Sequence, residues 1–129
     1  MKLLGETYRV SETALRFRAA RETALASNVA NADTPGYRRT DLRFSDALTA
    51  AVGQMARTNP AHLEGTAGSA SEPWRVERGP RGTRPDGNGV DLDQELLEVA
   101  SNASAFTQQS VALSRLANLT RTAIRGERR

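Results

Sequence analysis

A chain of 129 residues has room for one modest core. With hydrophobic residues at 38% and aromatics at 5%, that core must be thin and built largely of Leu, Val and Ala. The formal net charge of +3 is mild, and Arg16, Arg18 and Arg21 share their segment with Glu12 and Glu22, which argues against a nucleic-acid-binding stripe.

The absence of cysteine excludes disulfides, thiolate metal sites and cysteine nucleophiles. No stretch approaches the roughly 20 apolar residues of a membrane span, so no direct span is expected. Met1 to Val10 contains Leu3 and Leu4 but no run of signal-peptide length, and any export is expected to proceed without a cleavable signal peptide.

Between Gly5 and Pro35 neither glycine nor proline occurs, and the segment is rich in Ala, Arg, Glu and Leu, all good helix formers. A long N-terminal helix is predicted, with Ser11 or Thr7 as its N-cap. Its apolar face carries Val10, Ala14, Phe17, Ala24, Leu25, Val29 and Ala32, interrupted by Arg21. Asn28 and Asn31, three apart, project from one side near its end. Thr34-Pro35-Gly36-Tyr37 is a stop signal, since proline disfavours helix before it and Pro-Gly suits the centre of a type II turn.

A short helix is predicted over residues 45–57, where Phe44, Leu48, Val52 and Met55 recur at helical spacing. Gly53 to Gly89 holds seven of the ten glycines and four of the five prolines, which predicts loop, with a short strand near Pro73 to Arg78.

The last element is predicted over Asp91 to Arg125, opened by Asp91 with Gln94 at capping-box spacing and stopped by Gly126. Steps of four and three from Leu92 fall on Leu96, Val99, Ala103, Phe106, Ser110, Leu113, Ala117, Thr120 and Ile124, a coiled-coil register in a rod roughly 50 Å long. Leu97, Leu116 and Leu119 widen that face beyond what one partner helix covers, which argues for helices from other subunits. Asp91, Asp93, Glu95 and Glu98 are expected near Arg38, Arg39 and Arg43 in an antiparallel hairpin.

The fold class that follows is mainly α: long N- and C-terminal helices pairing as an antiparallel coiled-coil-like hairpin, with a short helix and a Gly/Pro-rich loop region between. Residues 1–44 and 90–129 form one coiled-coil domain, and 45–89 an insertion. Catalytic, cofactor and metal sites are not expected. His62 lies in a turn with only Glu64 nearby, the serines of the last helix have no histidine to activate them, and the run from Asp86 to Asp93 departs from EF-hand order and reads as a turn entering a helix cap.

The run from Leu25 to Tyr37, with Asn28, Asn31, Thr34, Pro35 and Gly36 in place, closely resembles the signature L-A-x-N-I-A-N-x-x-T-P-G-Y of the bacterial flagellar rod and hook proteins. Val29 stands where isoleucine is usual. Thr58 to Leu63 resembles the T-x-P-x-H-L segment, and Asp86 to Glu95 the D-G-N-x-V-D-x-D-x-E segment, of proximal-rod members of that family. Phe106 departs from the tyrosine common there, leaving only its packing role.

The resemblance implies a structural, self-assembling motility protein of the flagellar basal body rod in the periplasmic space. It implies type III export, and as partners further copies of itself, other rod proteins, the rod-to-ring adaptor FliE, and components of the membrane ring and export gate. Leu25, Val29, Leu92, Leu96, Val99, Phe106, Leu113 and Ile124 are the expected assembly seam, while Asn28, Asn31 and Thr34 to Tyr37 fix the end of the first helix. The asparagines could equally be generic caps or hydrogen-bond across subunits. A sister rod subunit and a small basic helical nucleic-acid-binding protein are the alternatives.

Overall fold

The computed structural model describes residues 2–43 and 74–126. The predicted helix at 45–57, the Thr58 to Leu63 segment and His62 lie outside the described residues. In chain order the elements are helix α1 (Lys2–Ala30), strands β1 (Thr40–Arg43) and β2 (Arg75–Arg78), and helix α2 (Leu92–Gly126).

Helix α1 begins earlier than either expected cap, because Gly5 is accommodated within it. One glycine costs a helix about 1 kcal/mol relative to alanine, which the long run of helix formers behind it outweighs. Its end falls where expected. The Asn31 amide is shared between the Ser27 and Asn28 carbonyls, and the amides of Ala32 and Thr34 then bond three residues back, to the carbonyls of Val29 and Asn31. Tyr37 N–H donates to Thr34 O at 3.2 Å, and Gly36 has φ +70°. These are the features of the expected type II turn, whose third residue needs a positive φ.

Asp91 caps α2. Its Oδ1 accepts from the Asp93 and Gln94 amides, and its carbonyl accepts the first intrahelical bond, from Glu95 N–H. The expected strand near residues 73–78 is β2. Its antiparallel partner β1, which pairs Leu42 with Val76 and Asp41 with Glu77, falls where only helix and turn were expected. A four-residue Thr-Asp-Leu-Arg run carries no alternation long enough to announce a strand.

The two helices pack antiparallel, as predicted, and the contacts run in opposite directions along them. Asn28 meets Glu95, Arg21 meets Glu98, and Arg18 and Glu22 meet Asn102. The apolar core is thin: Ala14, Phe17, Leu25, Ala32, Leu42 and Val90 are buried. Burial of a leucine such as Leu25 contributes about 2 kcal/mol. Phe17 meets Trp74 edge to face, with ring centroids 6.2 Å apart, so the start of β2 is tied to the middle of α1.

The register of α2 differs from the apolar pattern. Its least exposed positions are Glu95, Glu98, Val99, Asn102, Ala105, Gln109, Ser110, Leu113, Leu116, Ala117 and Thr120. Val99, Ser110, Leu113, Ala117 and Thr120 of the apolar register are among them. Toward the N-terminal half, however, the row facing α1 is Glu95 and Asn102 rather than Leu96 and Ala103. A one-residue shift of one row turns the contact face by about half of the 100° between successive helical residues. The cause is polar: α1 presents Asn28 to Glu95 and Arg18 O and Glu22 to Asn102, and Arg39, just before β1, adds a bond to Glu95. Charge-assisted bonds of that kind outweigh a leucine's preference for the same place.

Candidate assembly site

Asn28 is the centre of the packed end. It is 0% exposed. Its Oδ1 accepts the Thr40 amide at 2.9 Å and its Nδ2 donates to the Thr40 carbonyl at 2.8 Å, so the side chain pairs with β1 as a neighbouring strand would. The same Nδ2 donates to Glu95 Oε2 at 3.0 Å, and Tyr37 Oη donates to its Oδ1 at 3.3 Å. One amide therefore joins α1, the turn, β1 and α2.

Glu95, 1% exposed, is balanced by Arg39, whose Nε donates to its Oε1. Arg21 grips both remaining carboxylates: Nε and Nη2 bind Asp41 bidentately at 2.7 and 2.9 Å, and Nη2 also reaches Glu98 at 2.9 Å. Burial pushes the Asp41 carboxyl up, but the Arg21 hydrogen bond, the Leu42 amide and the charges of Arg21 and Arg39 more than reverse this and hold it below its ordinary value. The Asp41 hydrogen bond raises Arg21 against the opposing effect of burial. Burial lowers Arg39, and the bond and charge of Glu95 overcome it. The pairings favour the charged forms of Asp41, Arg21 and Arg39.

A second lock closes the end of α1. Asn88, also buried, donates through Nδ2 to the carbonyls of Asn31, Ala32 and Thr34 at 2.7 to 3.0 Å. Its Oδ1 accepts Val90 N–H at 2.7 Å. Arg84 adds a bond to Ala32 O at 3.2 Å, so a cation and an amide satisfy carbonyls that a helix end leaves orphaned. Gly36 N–H donates to Asp86 O, and Gly89 N–H to Tyr37 O, which zips the two turns together. A Cβ on Gly82 would lie 1.7 Å from Asn88 O; only glycine fits there. The run from Asp86 to Asp93 is thus a turn entering a helix cap, as expected, and among the described residues no cluster suited to a metal ion occurs.

The expected site residues divide between these locks and the outer surface. Leu25 is buried, and Val29, Val99 and Leu113 are half-buried. Leu92, Leu96, Phe106 and Ile124 are 40 to 57% exposed, whereas Glu95 and Asn102 are the buried residues of α2. Asn31 holds its own turn: Nδ2 donates to Ser27 O, and Oδ1 accepts from Thr34 Oγ1. Of the expected charge contacts, Arg39 with Glu95 forms, whereas Arg43 pairs with Glu77 and Arg38 donates to Gly79 O. Arg21, Asp41 and Asn88 are the functional residues that pattern reading missed. Arg21 looked like an interruption of an apolar face, and a charge on such a face is the available signal for a buried ion pair.

An antiparallel helix hairpin, clamped at one end and with Leu92, Leu96, Leu97 and Phe106 exposed on α2, has the features of a structural assembly subunit. The flagella basal body rod protein family matches residues 9–38. The chain is 32% identical over 120 residues to the flagellar basal body rod protein FlgB of Escherichia coli strain K12, covering 86% of this chain and 87% of that one. It is 34% identical over 119 residues to FlgB of Cereibacter sphaeroides, covering 92% and 93%, and 35% over 112 residues to FlgB of Proteus mirabilis, covering 80% and 82%. The chain belongs to the FlgB family of flagellar basal body rod proteins. It is a structural component of the basal body rod, not an enzyme, and assembles with other basal-body components. The nucleic-acid alternative is not favoured. No helix among the described residues is long and apolar enough to cross a membrane.

Proposed function

We infer that the chain is exported through the flagellar type III apparatus and builds the cell-proximal end of the rod in the periplasmic space. There it packs against copies of itself, other rod proteins, the adaptor FliE, and components of the membrane ring and export gate. The observation that carries this reading is the division of labour on α2. Its polar row is spent on α1, and its leucine row remains uncovered, with Leu92, Leu96, Leu97 and Phe106 all exposed. A helix with one face satisfied and an apolar face open is suited to a second helix from a neighbour. Leu25, Val29, Val99 and Leu113 hold the hairpin, while Leu92, Leu96, Phe106 and Ile124 supply the contact to neighbours.

The test is complementation of swimming in a strain lacking its own FlgB, together with circular dichroism and light scattering of the purified chain mixed with FliE and other rod proteins. Restored motility and growth in mass with those proteins support the reading. A chain that restores no swimming and stays monomeric with every rod partner overturns it.

A further inference from the structure

Asn88-Gly89 is the one Asn-Gly step in the sequence, and such a step is chemically labile in water. A glycine nitrogen reaches the preceding asparagine Cγ with little hindrance, because glycine has no side chain and its backbone adopts the needed conformations without steric cost. The new N–Cγ bond closes a five-membered imide, the Cγ–Nδ2 bond breaks, and ammonia leaves with the glycine amide proton. Water then opens the imide at either carbonyl. One opening leaves aspartate, and the other leaves isoaspartate, in which the chain runs through the former side chain. The reaction needs a mobile asparagine, a glycine N–H open to base, and water.

The fold withholds all three. Asn88 is 1% exposed. Its Nδ2, the group that would leave, donates to the carbonyls of Asn31, Ala32 and Thr34, and its Oδ1 accepts from Val90 N–H. The Gly89 N–H, whose nitrogen would attack, is donated to Tyr37 O at 2.9 Å, which shields its proton from base. The fold also explains why so labile a pair stands here. A Cβ on Gly89 would lie 3.1 Å from Pro80 O and 3.3 Å from Gly82 N, and an amide side chain can donate to carbonyls while accepting from Val90.

We propose that Asn88 is a deamidation site which the native fold keeps silent, so that a chain left unfolded loses the lock that ends α1. Conversion to aspartate replaces the Nδ2 donor by a carboxylate oxygen. That oxygen would face three carbonyls at the negative end of the α1 dipole, in a buried site where lost hydrogen bonds are costly. Arg84, bonded to the Ala32 and Val90 carbonyls, can offset the new charge but does not restore the lost donors. Isoaspartate adds a methylene to the backbone where space is already absent, since a Cβ on Gly82 would lie 1.7 Å from Asn88 O. Because the ammonia is lost to solvent, the change is one-way, and it limits how long a chain can wait unfolded and still fold. The inference concerns the single chain and stands apart from the rod-subunit reading.

The test is peptide mass mapping of the full chain incubated at mildly alkaline pH, once in native buffer and once in guanidinium chloride. A gain of one dalton at Asn88 should build up in the denatured chain and at least about tenfold more slowly in the native one, where only the open fraction reacts. Gly89→Ala, incubated in denaturant where its packing is irrelevant, should slow the gain severalfold by hindering the attacking nitrogen. On dilution out of denaturant, the helicity regained in circular dichroism should fall with the fraction converted. Parent chain held equally long in mildly acidic denaturant, where imide closure is slow, should refold fully. Equal rates in the native and denatured chains overturn the proposal, as does a converted chain that refolds with the urea midpoint of fresh protein.

Discussion

Asn28 shows how a side chain can be conspicuous in sequence and still withhold its role. Its spacing from Asn31 suggested a cap or a bond to another subunit. The structure gives it four hydrogen-bond contacts within the chain, two of them to the backbone of Thr40. Those partners were illegible because β1 was, and a buried amide is defined by what faces it. Asn28→Ala strips partners from Thr40 and Glu95 and leaves a small void, so it should lower stability by about 2 to 4 kcal/mol, read from the urea midpoint. Asn31→Ala, at a half-buried site with local bonds, should cost about 1 kcal/mol. Asp41 predicts an acid dependence. Its folded-state carboxyl lies below the ordinary value of 3.8, so its stabilisation is complete above that pH and fades as pH falls through the folded value. Urea titrations at pH 5 and pH 3 should show a smaller loss for Asp41→Asn than for the parent, and equal losses would mean that Arg21 gains nothing from the charge.

At the scale of elements, the sequence exposed what is long and hid what is short. Thirty-five residues of uninterrupted α2 announce themselves, as do the Asp91 cap and the Pro35-Gly36 turn, because each depends on local chemistry. β1 depends on a partner far along the chain, and no local pattern encodes that. The contact face of α2 was misplaced by one row because apolar periodicity ranks Leu96 above Glu95, whereas Arg39 and Asn28, positioned by the fold, reverse the ranking. Two substitutions separate local from distant control. Asp91→Ala removes a cap and should cost about 1 kcal/mol, seen as a lower thermal midpoint with the hairpin otherwise intact. Gly82→Ala touches no helix, yet its methyl must displace the Asn88 backbone. It should lower stability by more than the cap does and expose Asn88, measured as faster amide exchange at Val90.

For the molecule as a whole, stability and assembly are written on different faces of the same helix, and that separation can be tested. Glu95, Asn102 and Asn28 are buried and hold α1 against α2; Leu96 and Phe106 are half or more than a third exposed and contribute little to that contact. Surface changes away from buried networks usually alter stability by no more than about 0.5 kcal/mol. Leu96→Ser with Phe106→Ser should therefore leave the urea midpoint close to that of the parent while abolishing swimming in the complementation assay. Leu113→Ala, from the half-buried seam, should lower both, because a position that ties the hairpin together also sets the surface the neighbours meet. A double serine variant that unfolds early would place Leu96 and Phe106 in the hairpin's own core. One that swims normally would move the intersubunit contact off this row, leaving the Val111 to Leu119 half of α2 as the part of the outer face still able to carry it.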